Sequence, residues 1–269
     1  MKTIVRWLTV AGFSFATLVH AQEIVKLPTR VGVAQSYFLA KAPKNPQAVA
    51  VLFPGGNGLI DLRKEGDQIK FATGNFVVRA RNEFVKRGAV AAIIDAPSDK
   101  RVYGMDDQFR FSDQHFTDIS AVVADLNNRF PGVPLFLIGT SRGTVSAAPL
   151  AVKFNQQIAG VALTSTPFRP TGYTDHRLRG PCLSQFDLKA IKIPLLFVHH
   201  AKDGCVVSPY SDATRLTNNY PLITVFGSFS PKSDECSGLS AHGYYGKEPE
   251  TVEEIVNWML KKPFRIKVE

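Results

Sequence analysis

Short apolar runs recur along the chain and alternate with segments whose apolar residues follow helical spacing. The runs are residues 48–53, 89–94, 135–140, 158–163, 193–199 and 222–226. Helical spacing or capping signals mark residues 76–86, 112–130, 143–151, 209–218 and 249–260. Continuous apolar runs are typical of strands buried on both faces, as in a parallel sheet.

Alternating strands and helices predict an α/β fold with a mostly parallel central sheet and helices on both faces. Residues 23–40 have a mixed pattern, which favours short antiparallel strands covering one sheet edge. The stretch between Thr164 and Ile193 leaves room for only a small excursion, so no large lid domain is expected. Ligands of such sheets bind beyond the carboxyl ends of the strands.

The amino terminus has a different character from the rest of the chain. Lys2 and Arg6 precede an apolar run from Trp7 to Val19. The run is followed by Ala21, a small residue of the kind found at signal-peptide cleavage sites. The run is too short for a stable membrane span. We therefore predict a signal peptide over residues 1–21, export to the periplasm or the medium, and a single domain over residues 22–269. A buried first helix is the alternative interpretation.

The net charge of the chain limits the classes of binding partner that we expect. The 269 residues carry a formal charge of +9, and loss of Lys2 and Arg6 would leave 30 basic against 23 acidic residues, or +7. No dense basic tract interleaved with aromatic residues is present, which argues against nucleic-acid binding. A diffuse positive field instead favours anionic surfaces or substrates. The sequence gives no signal for an oligomeric state.

The most informative stretch is Gly139-Thr140-Ser141-Arg142-Gly143, where an apolar run ends at a serine flanked by glycines. The small and apolar residues that follow it predict a helix. Glycines on both sides of the serine allow a sharp strand-to-helix turn that exposes the hydroxyl above the sheet. Ser141 is therefore the candidate nucleophile, with a helix cap as its structural alternative.

A serine nucleophile needs a base and a carboxylate that orients it, and both follow along the chain. Asp203 comes after the run that ends at His199, and His242 lies between the last apolar run and the last helix. Asp203 followed by Gly204 is also a common turn, so other candidates stay open. They are Asp175, Asp187 and Asp234 for the acid, and His115, His176, His199 and His200 for the base. We expect His199 and His200 to be structural and His115 to be a solvated surface residue.

The segment Pro54-Gly55-Gly56-Asn57-Gly58 follows a central strand. Such a loop can direct backbone N–H groups into a site, although glycine clusters also mark plain tight turns. Arg142 directly follows the nucleophile. The simplest prediction for its side chain is an ion pair at the surface. The more specific hypothesis is that the guanidinium binds an anionic group of the substrate.

Three cysteines, Cys182, Cys205 and Cys236, leave one without a partner if a disulfide forms. Cys205 and Cys236 lie beside the segments that carry the candidate acid and base. We favour a bridge between them, which would fasten those two loops together. Three free thiols or a bridge that involves Cys182 remain open.

The order Ser, Asp, His and the Gly139–Gly143 turn resemble the alpha/beta-hydrolase family, in particular its small, nearly lidless members similar to dienelactone hydrolases and secreted carboxylesterases. The resemblance covers roughly residues 49–260. It implies Ser141 as nucleophile, His242 as general base and then acid, and Asp203 as the group that orients the imidazole. It also implies an oxyanion hole made by the backbone N–H of Arg142 and that of Gly56 or Asn57.

The chain departs from the family at Phe53-Pro54-Gly55-Gly56, where many members have His-Gly-Gly or His-Gly. The second oxyanion donor therefore stays open. The serine at position 141 differs from the cysteine nucleophile of dienelactone hydrolases. Together with the predicted signal peptide, the resemblance implies an exported serine hydrolase that acts on a small carboxylic ester, or on a thioester or amide, without metal or organic cofactor. The alternative is a non-catalytic protein of the same fold that binds a ligand or partner in the cleft.

Overall fold

A computed structural model describes residues 22–170 and 180–269. The predicted signal peptide, residues 1–21, lies outside the described residues. The strands in the described part are β1 Glu23–Arg30, β2 Val33–Leu39, β3 Ala48–Phe53, β4 Arg63–Glu65, β5 Gln68–Lys70, β6 Ala89–Ile94, β7 Leu135–Thr140, β8 Gly160–Thr164, β9 Leu195–His200, β10 Leu222–Val225 and β11 Lys267–Val268. The helices are α1 Phe76–Arg79, α2 Arg81–Lys86, α3 Asp107–Arg110, α4 Asp113–Arg129, α5 Gly143–Phe154, α6 Tyr210–Leu216 and α7 Glu248–Met259.

Within the described residues, nine strands form one sheet in the order β1-β2-β6-β3-β7-β8-β9-β10-β11. The first two strands pair antiparallel at one edge, β2 is also antiparallel to β6, and the other pairs are parallel. The predicted fold class is thereby confirmed, including the antiparallel edge. Strands β3, β6, β7, β8 and β9 are buried along their whole length, because helices cover both faces.

The helices divide the apolar core into two layers. Side chains of α4, α5 and α6 pack against one face of the sheet, and side chains of α1, α2 and α7 pack against the other. Ser112 caps α4 as expected, since its hydroxyl accepts the backbone N–H of His115 at 3.2 Å. None of the helices in the described residues is long and apolar enough to cross a membrane.

The structure differs from the sequence predictions in three segments. Residues 59–74, to which the sequence analysis assigns no strand or helix, contain the β4–β5 hairpin. The single helix expected over residues 76–86 is two short helices that meet at Ala80. Strand β11 was not predicted, because two residues carry no apolar run of their own and the strand exists through its pairing with β10.

His115 is buried, which corrects the prediction of a solvated residue. The first turn of α4 faces the sheet, so the imidazole lies between the rings of Phe53 and Phe109, with centroids 6.4 and 5.4 Å away. Neither ring nitrogen has a hydrogen-bond partner among the described residues. Burial, followed by the positive charges of Arg110 and Arg30, lowers the pKa of His115 to about 3.

This shift makes His115 a source of acid sensitivity. An unfolded histidine takes up a proton near pH 6.5, whereas the folded chain does not until about pH 3. Stability should therefore fall as the pH drops below about 6.5, with a slope approaching about 1.4 kcal/mol per pH unit from this residue. We expect His115→Leu to lose less unfolding free energy than the wild type between about pH 6 and pH 4 in denaturant titrations. Parallel pH curves for the two proteins would contradict this assignment.

Candidate functional site

Ser141 lies immediately after β7, at the centre of the carboxyl edge of the sheet. Its backbone φ is 50°, a left-handed conformation that is costly for a residue with a side chain. The backbone N–H of Ser141 donates to the carbonyl of Thr164 at 2.9 Å, which ties the turn to the neighbouring strand. The side chain is half-buried and lines a cavity of about 370 Å³.

The glycines around Ser141 are required by backbone crowding. A Cβ at Gly143 would lie 2.0 Å from the carbonyl oxygen of Phe53, at the end of the adjacent strand β3. A Cβ at Gly139 would lie 2.7 Å from the carbonyl oxygen of Gly143. Both distances are far below van der Waals contact, so only glycine lets the strand turn directly into α5.

His242 lies in a 3₁₀ turn, Ala241–Gly243, and lines the same cavity as Ser141. Its Nδ1 is 2.9 Å from Oδ2 of Asp203. The hydroxyl of Ser165 donates to the backbone carbonyl of His242 at 2.7 Å and fixes the turn from below. Nε2 of His242 is buried and has no hydrogen-bond partner among the described residues. A proton on Nδ1, shared with the carboxylate, leaves Nε2 as an acceptor.

The carboxylate of Asp203 is surrounded by donors. Oδ2 also receives Nε2–H of His199 at 3.2 Å and the hydroxyl of Ser208 at 3.3 Å, and Oδ1 receives the backbone N–H of Cys205 at 2.9 Å. Burial acts to raise the pKa of Asp203, but the hydrogen bonds from His199 and His242 outweigh it and hold the pKa well below its usual value. The group therefore stays anionic next to the imidazole.

The other aspartates and histidines that the sequence offered as acid or base lie in different environments. His199 supports Asp203 and also contacts the carbonyl of Ser208 at 2.7 Å. His200 bonds the Gly227 carbonyl and accepts the N–H of Lys202, so both histidines are structural, as expected. None of these histidines, and neither Asp187 nor Asp234, lines the cavity that holds Ser141 and His242. Asp175 and His176 lie outside the described residues.

A disulfide joins Cys205 to Cys236, the pairing that the sequence favoured. Cys205 lies two residues after Asp203, and Cys236 lines the cavity six residues before His242. The bridge therefore ties the loop of the acid to the loop of the base. Cys182 is buried and is outside this bridge.

Arg142 does not face the cavity. Its side chain is buried and forms an ion pair with Asp107, whose other oxygen accepts the backbone N–H of Cys182 at 2.8 Å. The expectation of a surface ion pair is wrong about its location, because α3 covers this side of the turn. Recognition of an anionic substrate by this guanidinium has no support in the geometry.

The glycine-rich loop after β3 is held from behind by Arg110, a residue that no sequence pattern singled out. The buried guanidinium donates from Nη2 to the carbonyl of Gly56 at 3.0 Å and from Nη1 to the hydroxyl of Ser146 on α5 at 2.7 Å. Of the two candidate donors in this loop, Gly56 lines the cavity. Asn57 does not line it, and its carbonyl accepts the N–H of Met105 at 2.8 Å.

Arg79 fastens the loop that carries His242. Its guanidinium donates to the carbonyls of Gly74, Gly238 and Gly243, at 2.6, 3.0 and 2.9 Å, and pairs with Glu248. All three glycines line the cavity. One side chain thus connects two walls of the site.

The comparisons with known proteins agree with the fold. The family model described as serine aminopeptidase, S33, matches residues 104–225, a stretch that includes Ser141 and Asp203 and ends before His242. The fold is similar to that of Est1E from Butyrivibrio proteoclasticus, with a TM-score of 0.59 and 16% identity over 88% of this chain and 98% of that one. It is also similar to XC6422 from Xanthomonas campestris, described as a serine hydrolase without lid, with a TM-score of 0.56 and 13% identity over 86% and 94%.

The described part of the chain has the alpha/beta-hydrolase fold. A carboxyl esterase from Bacillus coagulans has the same fold, with a TM-score of 0.57 and 12% identity over 89% of this chain and 98% of the esterase. No curated protein is significantly similar in sequence. Residues 22–170 and 180–269 contain no cluster of three or more His, Cys, Asp or Glu side chains suited to a metal ion.

The buried ion pair behind Ser141 gives a stability prediction. Asp107→Asn keeps an acceptor for the N–H of Cys182 but removes the negative charge that faces the buried guanidinium of Arg142. We expect a loss of about 3–5 kcal/mol of unfolding free energy in denaturant titrations. The matched change Asp113→Asn breaks a pair with Lys153 in which the carboxylate is 92% exposed, and should cost less than about 1 kcal/mol. Equal losses in the two variants would show that the Asp107 pair is not a structural anchor of this fold.

Proposed function

We propose that this chain is an exported serine hydrolase that cleaves carboxylic esters through an acyl-enzyme on Ser141. The observation that carries the proposal is the unpartnered Nε2 of His242. It belongs to a ring whose Nδ1 is bonded to a buried carboxylate, and the residue His242 lines the same cavity as the strained serine. A base with an open acceptor next to a hydroxyl is the requirement of nucleophilic serine catalysis.

In the proposed reaction, Nε2 of His242 takes the hydroxyl proton while Oγ of Ser141 attacks the ester carbonyl. The electron pair of the carbonyl moves to its oxygen, where backbone N–H groups of Gly56 and Arg142 stabilise the negative charge. The imidazolium then gives the proton to the leaving alcohol, and an acyl-serine remains. Water, deprotonated by the same nitrogen, attacks the acyl group and restores the hydroxyl. Asp203 stabilises the imidazolium and stays ionised throughout.

Two observations favour an ester as the substrate. The structural neighbour from Bacillus coagulans is named as a carboxyl esterase, although it shares only the fold with this chain. The described residues that line the cavity include no carboxylate that would hold the ammonium group of a peptide amino terminus. A cavity of about 370 Å³ suits a short acyl group.

Export is part of the proposal. The bridge between Cys205 and Cys236 supports an oxidising compartment, where such bonds persist. We propose that residues 1–21 direct the chain there and that residues 22–269 form the enzyme.

A fluorophosphonate probe, which reacts with activated serines, tests the nucleophile. We expect covalent labelling of the protein at Ser141, detected by mass spectrometry, together with hydrolysis of p-nitrophenyl acetate. Ser141→Ala should abolish labelling and lower kcat by about 10³-fold or more. Ser237→Ala, which changes another serine of the same cavity wall, should leave both intact. A folded wild-type protein that is never labelled would instead support the non-catalytic, ligand-binding alternative.

The pH dependence tests the base. Protonation of His242 removes the acceptor, so kcat/KM for p-nitrophenyl acetate should fall at acid pH with a slope of one on a logarithmic plot. Asp203 does not add a second proton in this range, because its pKa is held well below the usual value. The matched variant His199→Gln keeps an N–H donor near Asp203 and removes the other ring, so the acid limb should persist. A flat profile, or a limb that disappears with His199, would contradict the assignment.

A further inference from the structure

Asn75 occupies a place at the candidate site for which the proposed chemistry has so far assigned no role. It directly precedes α1 and lines the cavity together with Ser141 and His242. The loop of the base closes over it, since a Cβ at Gly238 would lie 3.2 Å from the Cα of Asn75. The residue is half-buried, between the glycine-rich loop after β3 and the histidine loop.

The orientation of the Asn75 amide is fixed by the helix that follows. Oδ1 accepts the backbone N–H of Val77 at 3.2 Å. Only the oxygen of an amide can accept this hydrogen, so the nitrogen must occupy the other position. Nδ2, which carries two hydrogens, therefore points away from α1. It makes no hydrogen bond to an acceptor in the described residues, and it is not shielded from solvent as a buried, unsatisfied group would be.

Nδ2 of Asn75 borders the same small space as the nucleophile. The point where Gly55 would carry a Cβ lies 3.2 Å from Nδ2, 2.9 Å from Cβ of Ser141 and 3.0 Å from the carbonyl oxygen of Thr140. Gly55 thus leaves open a gap that has the serine on one side and an amide donor on the other. A side chain at this position would fill the gap.

We propose that the side-chain amide of Asn75 donates a hydrogen bond to the carbonyl oxygen of the substrate as it becomes an oxyanion. This inference rests on the proposed function and adds a side-chain donor to the backbone donors. A donor held by a second hydrogen bond needs no reorganisation when charge develops, so its effect is greatest in the transition state. Removal of one such donor lowers kcat by about 10²–10³-fold in other serine hydrolases.

Two substitutions separate this role from helix capping. Asn75→Ser keeps a good capping oxygen but is too short to reach the gap, and Asn75→Asp keeps the acceptor for Val77 while replacing the donor with a negative charge. We expect both variants to unfold thermally like the wild type. For p-nitrophenyl acetate, kcat should fall about 10²–10³-fold in Asn75→Ser and further in Asn75→Asp, with KM changed by less than about threefold.

A transition-state analogue provides the second readout. An alkyl boronic acid that forms a tetrahedral adduct with Ser141 should bind Asn75→Ser more weakly by about the same factor as kcat falls. Unchanged kcat in an active protein, or a rise of KM alone, would overturn the role of Asn75 and leave it as a helix cap or a ground-state binding residue. Failure of the wild type to react with fluorophosphonate would instead reject the proposed function, so the two failures are distinguishable.

Discussion

The close approach of two neighbouring strand ends is the constraint on which the site depends. Strands β3 and β7 pair in parallel with Phe53 opposite Gly139, so the chain leaves both strands at the same edge of the sheet. The carbonyl of Phe53 then lies where a side chain at Gly143 would be. Because glycine has no Cβ to clash with this carbonyl, α5 can begin directly behind Ser141. The glycine-rich loop that follows β3 therefore lies next to the serine. Ser141 and the glycine-rich loop are thus adjacent as a consequence of strand order.

His242 is positioned by different means, because residues 226–247, all within the described part, contain no regular element longer than a single 3₁₀ turn. Three kinds of contact replace the support of a strand: the disulfide from Cys205 to Cys236, the guanidinium of Arg79, and the Ser165 hydroxyl under the backbone of His242. The disulfide acts on the acid and base loops together, while Arg79 connects the base loop to the segment before α1. A long loop can carry a catalytic group when several independent contacts restrict it.

The sequence predicted the elements whose signal is local and missed those that depend on distant partners. The buried strands, the turn at Ser141 and the cap at Ser112 follow from short patterns of apolar residues, glycines and a hydroxyl. The β4–β5 hairpin has an exposed, polar sequence, and β11 gains its hydrogen bonds only from β10. His115 and Arg142 were placed at the surface because a single polar residue reveals nothing about the elements that fold over it. Ser165 and Arg110 support the site through long-range contacts, for which one sequence contains no signal.

The buried guanidinium of Arg110 is costly to desolvate, and its hydrogen bonds to the elements behind the site explain why it is there. Burial and the neighbouring charge of Arg142 lower the pKa of Arg110 to about 9, so it is still a cation at neutral pH. Its hydrogen-bond acceptors are neutral: the carbonyls of Met105 and Gly56 and the hydroxyl of Ser146. An apolar side chain of similar length would avoid the desolvation cost but would leave these three groups without their donor. Because Gly56 lies in the glycine-rich loop and Ser146 lies on α5, the same guanidinium sets the distance between that loop and the helix that begins behind Ser141. Its burial is therefore explained by the position of the loop that it holds rather than by a gain in packing.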